Sequence, residues 1–396
     1  MPKQLFIQSG VFPELSFAEL HSVLLSFGLN KEYLTKYGKS IFLLSIDEKL
    51  TVQLAMKIFS RLGGAIRIGE IVEDIDSFEM NTDQKSKVTF GISILGNTER
   101  TDSSFLKKLA NNIKRQLKEG STSSRFILPK DKELSLNAAQ VIKNNILSEG
   151  FELLVIRNGE QEIYAKTLGI QDLEGFVSRD IQRPESNHEM GTLPTKLARM
   201  MVNLTGLKGG TIWDPFCGSG TILMEAAVLD FNFLASDIDS RAVIDTDNNI
   251  RWLLADGQIT NKTLYQAFQF DILKPDSEIV NKLRNTEINA IVCEPYMGPP
   301  QTRVLSVEYA NKLLGDVKAL YKKLFDLIDI KLQKRGIKIV MIVPSYKTDK
   351  GWITFGIREL VGKRWDLKNS SLTSGDLKWS RKNSIITRNI FILERT

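Results

Sequence analysis

The chain has 396 residues, of which 42% are hydrophobic and 25% are charged. This balance excludes a disordered or fibrous protein and provides enough chain for two or three domains with separate cores. No apolar run approaches the ~20 residues that a membrane helix needs, and the first ten residues lack a signal-peptide pattern, so we expect a cytoplasmic protein. The two cysteines, Cys217 and Cys293, have no paired spacing, which excludes a disulfide framework and a cysteine-rich zinc site.

The net charge of +6 is distributed unevenly along the chain. Residues 311–396 contain 19 Lys and Arg against 8 Asp and Glu, whereas the first 310 residues contain 34 against 39. A polyanionic partner such as nucleic acid would explain the basic C-terminal region, and a solvated lysine-rich surface would explain it equally well. Charge alone leaves these two interpretations open.

Strand and helix patterns are mixed over the first 167 residues. The predicted strands are 4–8, 40–45, 87–95 and 151–156, and the predicted helices are 17–27, 52–62, 103–118 and 136–148. We therefore predict an α+β unit over residues 1–62 and a second unit over residues 63–167. The loops and charged segment over residues 168–190 are the predicted linker.

From residue 191 onward, helix and strand patterns alternate. The predicted strands are TIWD (211–214), FLASD (233–237), IVC (291–293) and IKIVMIVP (337–344), and the helix TILMEAAVLDF follows a glycine turn. Alternation of this kind predicts an α/β fold, in which a doubly wound, Rossmann-like parallel sheet over residues 191–396 is covered on both faces. In such sheets the ligand binds at the carboxyl ends of the strands.

The motif DPFCGSGT, residues 214–221, lies between a strand and a helix. Gly218 and Gly220 let the backbone approach a ligand, and the helix that follows offers free N–H groups to polar or anionic atoms. Asp237 ends the next strand, from which a carboxylate can bind both hydroxyls of a ribose. Asp271 follows a further apolar run and could accept from an adenine amino group. Each acid alone could be a helix cap or a loop residue, but three in succession favour a nucleotide-like ligand.

These residues resemble the THUMP-domain class I methyltransferases, which modify guanosine in tRNA at the exocyclic N2 amine. WDPFCGSGTILMEAA is similar to the cofactor loop of the family, and SRDIQRP with GTLPTKLARMMVNL is similar to its linker and the helix that opens its catalytic domain. SSRFILP with LSLNAAQVIKNNI resembles its THUMP module. The resemblance implies a ferredoxin-like unit over residues 1–62, a THUMP-like RNA-binding domain over residues 63–167, and methylation of tRNA at guanosine 10.

The resemblance also implies that the cofactor is S-adenosylmethionine. Asp214 and the turn at 218–220 would hold its methionine end, Asp237 its ribose and Asp271 its adenine. The implied cofactor-binding residues are Asp214, Phe216, Gly218, Ser219, Gly220, Asp237, Ile238 and Asp271. We expect no metal site, because neither His21 nor His188 has a ligand partner nearby in the sequence.

The sequence CEPYMG, which ends the IVC strand, occupies the place of an Asp-Pro-Pro-Tyr type motif in the family. There the carboxylate and a proline carbonyl accept the two hydrogens of the target amine, and the aromatic ring stacks on the flipped-out base. Aligned through the turn glycine, Glu294 takes the place of the acid, Tyr296 that of the second proline and Met297 that of the aromatic. A shift of one residue puts Cys293 at the acid instead. We prefer the first alignment because it keeps a carboxylate, and we predict Glu294, Pro295 and Tyr296 as the catalytic residues.

Glutamate in place of aspartate displaces the acceptor by roughly one C–C bond, a distance that matters where geometry sets the rate. Two alternatives therefore stay open. One is a DNA amino-methyltransferase, whose catalytic loop is similar. The other is a tRNA-binding protein that keeps cofactor binding and has lost turnover.

Two groups of basic residues are candidates for contacts with tRNA phosphates. One group lies on the predicted helix 103–118 and just after it, where a solvated helix face would explain the basic residues equally well. The other group surrounds Trp379, where alternation in SIITRNIFIL predicts a last hairpin strand. The predicted residues are Lys107, Lys108, Lys114, Arg115, Lys118 and Arg125 in the first group, and Lys378, Arg381, Lys382 and Arg388 in the second. We expect a monomer, and leave open the nucleotide position, the number of methyl groups and the need for a small activating protein.

Overall fold

A computed structural model describes residues 3–72, 87–97, 102–130, 133–186, 192–260, 262–332 and 335–396. His188 and Gly191 lie outside these ranges. The chain forms two compact units: the first comprises Met1–Pro13, Leu29–Ser60 and Ala65–Leu173, and the second comprises Glu14–Gly28, Arg61–Gly64 and Glu174–Thr396. Helix α1 (Pro13–Ser26) therefore belongs, apart from its first residue, to the second unit.

The first unit is built on one mixed sheet, which has eight strands in the described part of the chain. These are β1 (Gln4–Ser9), β2 (Leu34–Tyr37), β3 (Ile41–Ser45), β4 (Ala65–Val72), β5 (Lys87–Gly96), β6 (Ser123–Ile127), β7 (Gly150–Asn158) and β8 (Gln161–Ile170). Their order is β2-β3-β1-β4-β8-β7-β5-β6. Strand β5 runs parallel to both of its neighbours, and the other pairs are antiparallel.

The helices of the first unit are α2 (Val52–Arg61), α3 (Asp102–Glu119), α4 (Ala138–Lys143) and α5 (Ile146–Glu149). In α3, Leu106, Ala110, Ile113 and Leu117 recur every three or four residues and are buried in one core cluster with the sheet. The helix predicted over residues 136–148 is instead two short helices. Asn145 separates them in a left-handed conformation, with φ of 51°.

The boundary predicted at residue 62 stays a prediction, but strands on its two sides pair directly. Strand β1 pairs with β4, and β4 pairs with β8. The two segments predicted as separate N-terminal units thus share a continuous sheet. Their ferredoxin-like and THUMP-like identities also stay predictions.

The second unit contains a sheet that is parallel over most of its width. Its strands are β9 (Thr211–Asp214), β10 (Asn232–Asp237), β11 (Tyr265–Gln269), β12 (Ala290–Cys293), β13 (Lys338–Thr348), β14 (Gly351–Ile353), β15 (Trp365–Leu367), β16 (Lys378–Trp379) and β17 (Ile386–Arg395). The main order is β11-β10-β9-β12-β13-β17-β15, with β14 paired to β13 and β16 paired to β17. Strands β9 to β13 pair in parallel, whereas β17 is antiparallel to both neighbours. The predicted α/β class and Rossmann-like C-terminal fold are confirmed.

Helices cover this sheet, and its central strands are fully buried because they have apolar neighbours on both faces. Trp213, Ile291 and Ile339 are examples, each 0% exposed. Besides α1, the helices from residue 173 onward in the described ranges are α6 (Leu173–Val177), α7 (Thr195–Asn203), α8 (Thr221–Val228), α9 (Ser240–Ala255), α10 (Ser277–Asn285), α11 (Val307–Asp326) and α12 (Asn369–Leu372). Within the described ranges, no helix is long and apolar enough to cross a membrane.

Helix α1 is fixed to the second unit by buried polar contacts. The carboxylate of Glu19 accepts hydrogen bonds from the backbone nitrogens of Gly63 and Gly64, at 2.7 and 2.8 Å, and from Nδ2 of Asn203 at 2.8 Å. Nδ1 of His21 lies 3.0 Å from the carbonyl oxygen of Leu372. Because these polar atoms are buried, the contacts determine where α1 packs as well as adding stability.

Candidate active site

Asp214 ends β9 and is 1% exposed. Its Oδ1 accepts a hydrogen bond of 3.0 Å from the backbone nitrogen of Phe216, so the side chain shapes the turn that follows the strand. Burial raises the pKa of this carboxyl well above its ordinary value, and the charges of Asp237 and Glu294 act in the same direction. Asp237 and Glu294 are therefore close enough to Asp214 to act on its carboxyl at this edge of the sheet.

The glycine turn after Asp214 combines an open position with a tightly packed one. Gly218 and Gly220 have φ of 52° and 82°, in the left-handed region that favours glycine. A Cβ atom on Gly218 would meet no atom within 4 Å, whereas one on Gly220 would lie 2.9 Å from atoms of Thr246. Helix α8 begins directly after Gly220 and has no side-chain cap. Its first N–H groups are therefore directed at the turn beside open space.

Asp237 ends β10 and binds the glycine turn. Its Oδ2 accepts from the backbone nitrogen of Gly218 and its Oδ1 from that of Asp239, each at 3.0 Å. Burial raises the pKa of the Asp237 carboxyl. A carboxylate offers about four acceptor sites, so this side chain retains capacity for two hydroxyl groups.

Asp271 lies two residues beyond β11, is partly buried, and accepts from the backbone nitrogen of Leu273 at 2.8 Å. Since the sheet order is β11-β10-β9, the three predicted acids follow three adjacent strands. Ile238 is 60% exposed, and Ser219 uses its carbonyl oxygen to accept from Nδ2 of Asn249 at 2.8 Å. This site suits a nucleoside with a charged amino-acid end. It offers open space at Gly218, an uncapped helix start and unused acceptor sites on Asp237.

The predicted catalytic loop starts where β12 ends. Cys293, the last strand residue, is 0% exposed within a core cluster of the second unit, and burial raises the pKa of its thiol well above the ordinary value. Glu294 is the first residue after the strand, and its Oε1 accepts from Nε of Arg388 at 2.5 Å. Burial raises the pKa of Glu294, and the neighbouring Arg388 opposes that rise. Cys293 is therefore a core residue, while Glu294 supplies the acid of the loop.

Two buried tyrosines hold the backbone of this loop. The hydroxyl of Tyr321 donates to the carbonyl oxygen of Tyr296 at 3.3 Å, and the hydroxyl of Tyr346 donates to that of Met297. Gly298 has φ of 85°, and a Cβ there would lie 2.8 Å from the Tyr346 hydroxyl oxygen. The ring of Tyr296, in contrast, is on the surface and 56% exposed. The loop thus has a fixed backbone and an available aromatic face.

Comparison with known proteins finds methyltransferase relatives. Residues 183–350 match the UPF0020 family model, described as "RMKL-like, methyltransferase domain". The chain is 26% identical over 365 residues to a tRNA (guanine(10)-N2)-dimethyltransferase of Methanothermobacter thermautotrophicus, with 89% of this chain and 92% of that enzyme covered. It is 30% identical over 160 residues to an enzyme of the same name from Methanocaldococcus jannaschii, with 39% and 42% covered. Residues 183–350 thus match a methyltransferase family, and the chain as a whole is similar to these tRNA methyltransferases.

These matches bear out the predicted resemblance to tRNA guanosine N2-methyltransferases, while its THUMP module stays a prediction. A solved structure of a methyltransferase from Pyrococcus furiosus covers 56% of this chain and 93% of its own, at 12% identity and a TM-score of 0.34, which is too low to assign a function. The family match begins at residue 183 and contains every predicted cofactor-binding and catalytic residue.

The predicted RNA-binding residues of the methyltransferase fall on both units. In the first unit, the predicted lysines and arginine of α3 and Arg125 of β6 are all exposed. In the second unit, Arg381 and Lys382 are exposed, and Lys378 forms an exposed ion pair of 2.7 Å with Asp376. Arg388 is placed differently: it is 9% exposed and binds Glu294. Contact with RNA stays a prediction for the exposed residues.

Three residues that support the catalytic loop of this methyltransferase were not predicted to do so from the sequence. Tyr321 lies within a long amphipathic helix and Tyr346 within a buried strand, so each has the pattern of an ordinary core residue. Arg388 lies 94 residues from Glu294 in the chain. An arginine amid the apolar residues of a predicted strand is the one signal that could have indicated a buried ion pair.

Proposed function

We propose that the protein is an S-adenosylmethionine-dependent tRNA (guanine-N2)-methyltransferase that acts on guanosine 10. The observation that carries the proposal is the position of Glu294 beside the cofactor-type loop. Strand β12, which Glu294 follows, pairs with β9, which ends in Asp214. The sheet thus brings a target-binding acid and a nucleoside-binding turn to adjacent strand ends. The relative aligned over 92% of its length carries the same activity in its name.

The cofactor residues form one connected set at the ends of β9, β10 and β11. The turn at Gly218 and the start of α8 would hold the amino-acid end, Asp237 the ribose hydroxyls and Asp271 the adenine amino group. When bound, S-adenosylmethionine supplies an activated methyl group on a sulfonium. Asp214 contributes by shaping the turn, because its carboxylate is occupied by the backbone of Phe216.

The catalytic loop acts by orienting the target amine. The carboxylate of Glu294 and the carbonyl of Pro295 would each accept one N–H of the guanine amine, which directs the nitrogen lone pair toward the methyl donor. Tyr296 presents an exposed ring on which a base that has been flipped out of its helix can stack. The backbone bonds from Tyr321 and Tyr346 keep these groups in place before the substrate arrives.

Positioning of the tRNA would fall to the basic surfaces of the two units. The exposed residues of α3 with Arg125, and Arg381 with Lys382, supply positive charge for phosphate contacts, which fix a substrate without reading its sequence. The monomeric state, the cytoplasmic location and the involvement of a small activating protein stay predictions.

Mass spectrometry of tRNA nucleosides tests the proposal. Purified protein, S-adenosylmethionine and an unmodified transcript with guanosine at position 10 should yield N2-methylated guanosine, and the masses count the methyl groups. The matched control is a transcript with adenosine at position 10. Methylation of the control to the same extent would refute the position, and methylation of DNA but not tRNA would favour the DNA alternative.

A further inference from the structure

Glu294 and Arg388 form an ion pair that is almost closed to solvent. The pair joins Nε of Arg388 to Oε1 of Glu294 at 2.5 Å, and the two side chains are 11% and 17% exposed. The guanidinium carbon of Arg388 also lies 5.1 Å from the ring centroid of Trp379. Held between an aromatic ring and a carboxylate, Arg388 has little rotational freedom.

The two residues reach each other across an intervening strand. Strand β13 lies between β12 and β17, where Cys293 is paired with Met341 and Arg388 is paired with Pro344. Strands separated by one neighbour are about 10 Å apart, so only long side chains can meet. Aspartate at position 294 would retract the carboxylate by about 1.5 Å, the length of one C–C bond. The longer acid is therefore matched to the arginine.

The ion pair also gives the two carboxylate oxygens of Glu294 different partners. Oε1 is engaged by Arg388, which leaves Oε2 to accept from a substrate amine. Within the described part of the chain, Glu294 also interacts with Asp214 at the end of β9, Cys293 at the end of β12 and Tyr321 on α11. None of these three is a cation, so Arg388 supplies the positive charge of this cluster.

We propose that Arg388 is a positioning residue for methyl transfer, and that it and the longer acid Glu294 act as a matched pair. The inference rests on the proposed function, since it assigns Glu294 to the target amine. Arg388 holds the carboxylate at the distance that the substrate requires and keeps it in the accepting, ionised form. The arginine thus compensates for the extra methylene that distinguishes Glu294 from the acid of the family motif.

A double-mutant cycle tests the matched pair. Single-turnover methyl transfer to tRNA should slow by at least about tenfold in Arg388→Met and also in Glu294→Asp, since either change displaces the carboxylate or leaves it unheld. The double variant should be no slower than the worse single variant. Arg364→Met, which removes an exposed arginine of the same region, is the matched control and should leave the rate unchanged. Rate losses that simply multiply in the double variant would overturn the proposal.

The pH dependence of the rate separates positioning from a general structural role. Transfer requires ionised Glu294, so the rate falls as the pH drops through the pKa of that carboxyl. Because Arg388 lowers this pKa, Arg388→Met should shift the acid limb to higher pH. Arg388→Lys keeps the charge and should shift the limb less, while still slowing transfer. An equal loss of rate at every pH would contradict the proposal, provided that circular dichroism and cofactor affinity show folded variants.

A third measurement tests the ion pair without relying on methyl transfer. The pKa of Glu294 can be followed by carbon-13 NMR of labelled glutamate, with Glu294→Gln to assign the signal, in the wild-type protein and in Arg388→Met. A rise in the variant supports the ion pair even if no tRNA is methylated, an outcome that would refute only the proposed function. An unchanged pKa would refute the pairing itself.

Discussion

The backbone nitrogen of Gly218 donates a 3.0 Å hydrogen bond to the carboxylate of Asp237. This bond ties the turn after β9 to the end of β10, so the same side chain that would bind the ribose also fixes the turn beside it. Loss of Asp237 therefore removes a ligand contact and loosens the neighbouring part of the site. The two effects should reinforce each other.

Replacing Asp237 by Ala should weaken binding of S-adenosylmethionine by about tenfold to a hundredfold, or ~1.5–3 kcal/mol, because a charged acceptor for two hydroxyls is lost. Isothermal titration calorimetry measures the change. The control is Asp316→Ala, which removes an exposed acid of α11. An unchanged dissociation constant for the Asp237 variant would refute its assignment to the ribose.

The two glycines of the turn should respond differently to substitution. Gly218→Ala places a methyl group in open space where the cofactor is expected, so it should reduce affinity more than stability. Gly220→Ala places a methyl group 2.9 Å from Thr246, so it should lower the melting temperature. Gly28→Ala is the control, because Gly28 also has a left-handed φ, of 78°, and a Cβ atom there would meet no atom within 4 Å. Calorimetry and thermal unfolding distinguish the outcomes, and equal affinity in Gly218→Ala and Gly28→Ala would contradict the assignment.

The stability of the second unit should depend on the ionisation of Glu19. Burial raises the pKa of this carboxyl from 4.5 to about 7. The folded protein therefore retains a proton that the unfolded chain releases, and the free energy of unfolding should fall between pH 4.5 and 7, by at most ~3 kcal/mol. Glu19→Gln should remove most of this slope, whereas exposed Glu308→Gln should preserve it. Urea unfolding across this pH range measures both, and a slope that survives in Glu19→Gln would contradict the interpretation.

A buried cluster of two arginines and one glutamate joins the segment predicted as the linker to helices α7 and α8. Nε of Arg179 and Nε of Arg199 each lie 2.6 Å from an oxygen of Glu225, which is fully buried. Glu225→Ala leaves two buried cations without their partner and should cost about 3–5 kcal/mol of stability. The exposed pair of Lys378 and Asp376 is the control, since Asp376→Ala should cost less than about 1 kcal/mol. Similar losses in the two variants, measured by urea unfolding, would refute the role of the buried cluster.

The strands of the parallel sheet were predicted well from the sequence. They are buried on both faces, so each appears in the sequence as a continuous apolar run. The strands ending in Asp214, Asp237 and Cys293 begin and end within two residues of the predicted bounds. The edge and hairpin strands of the first unit were harder to recognise. Strand β2 has exposed residues at two of its four positions, and β8 lacks a continuous buried face, so neither shows a clear apolar pattern.

Long-range contacts account for what the sequence could not predict. The position of α1 depends on hydrogen bonds between Glu19 and residues 63, 64 and 203, which no local pattern encodes. The partner of Glu294 likewise depends on the register of β13 with β17. Local motifs therefore identified the acids of the site, while the groups that orient them required the folded chain.

Methyl transfer by Glu294 variants tests the central claim most directly. With a transcript carrying guanosine 10 and labelled cofactor, the wild-type protein should produce N2-methylguanosine at that position, and Glu294→Gln should slow single-turnover transfer because a charge-assisted hydrogen bond is lost. Cofactor affinity should stay nearly unchanged, and Cys293→Ser, which alters a core residue, should affect transfer only mildly. No transfer by the wild-type protein, or transfer that survives Glu294→Ala but is abolished by Cys293→Ser, would contradict the account.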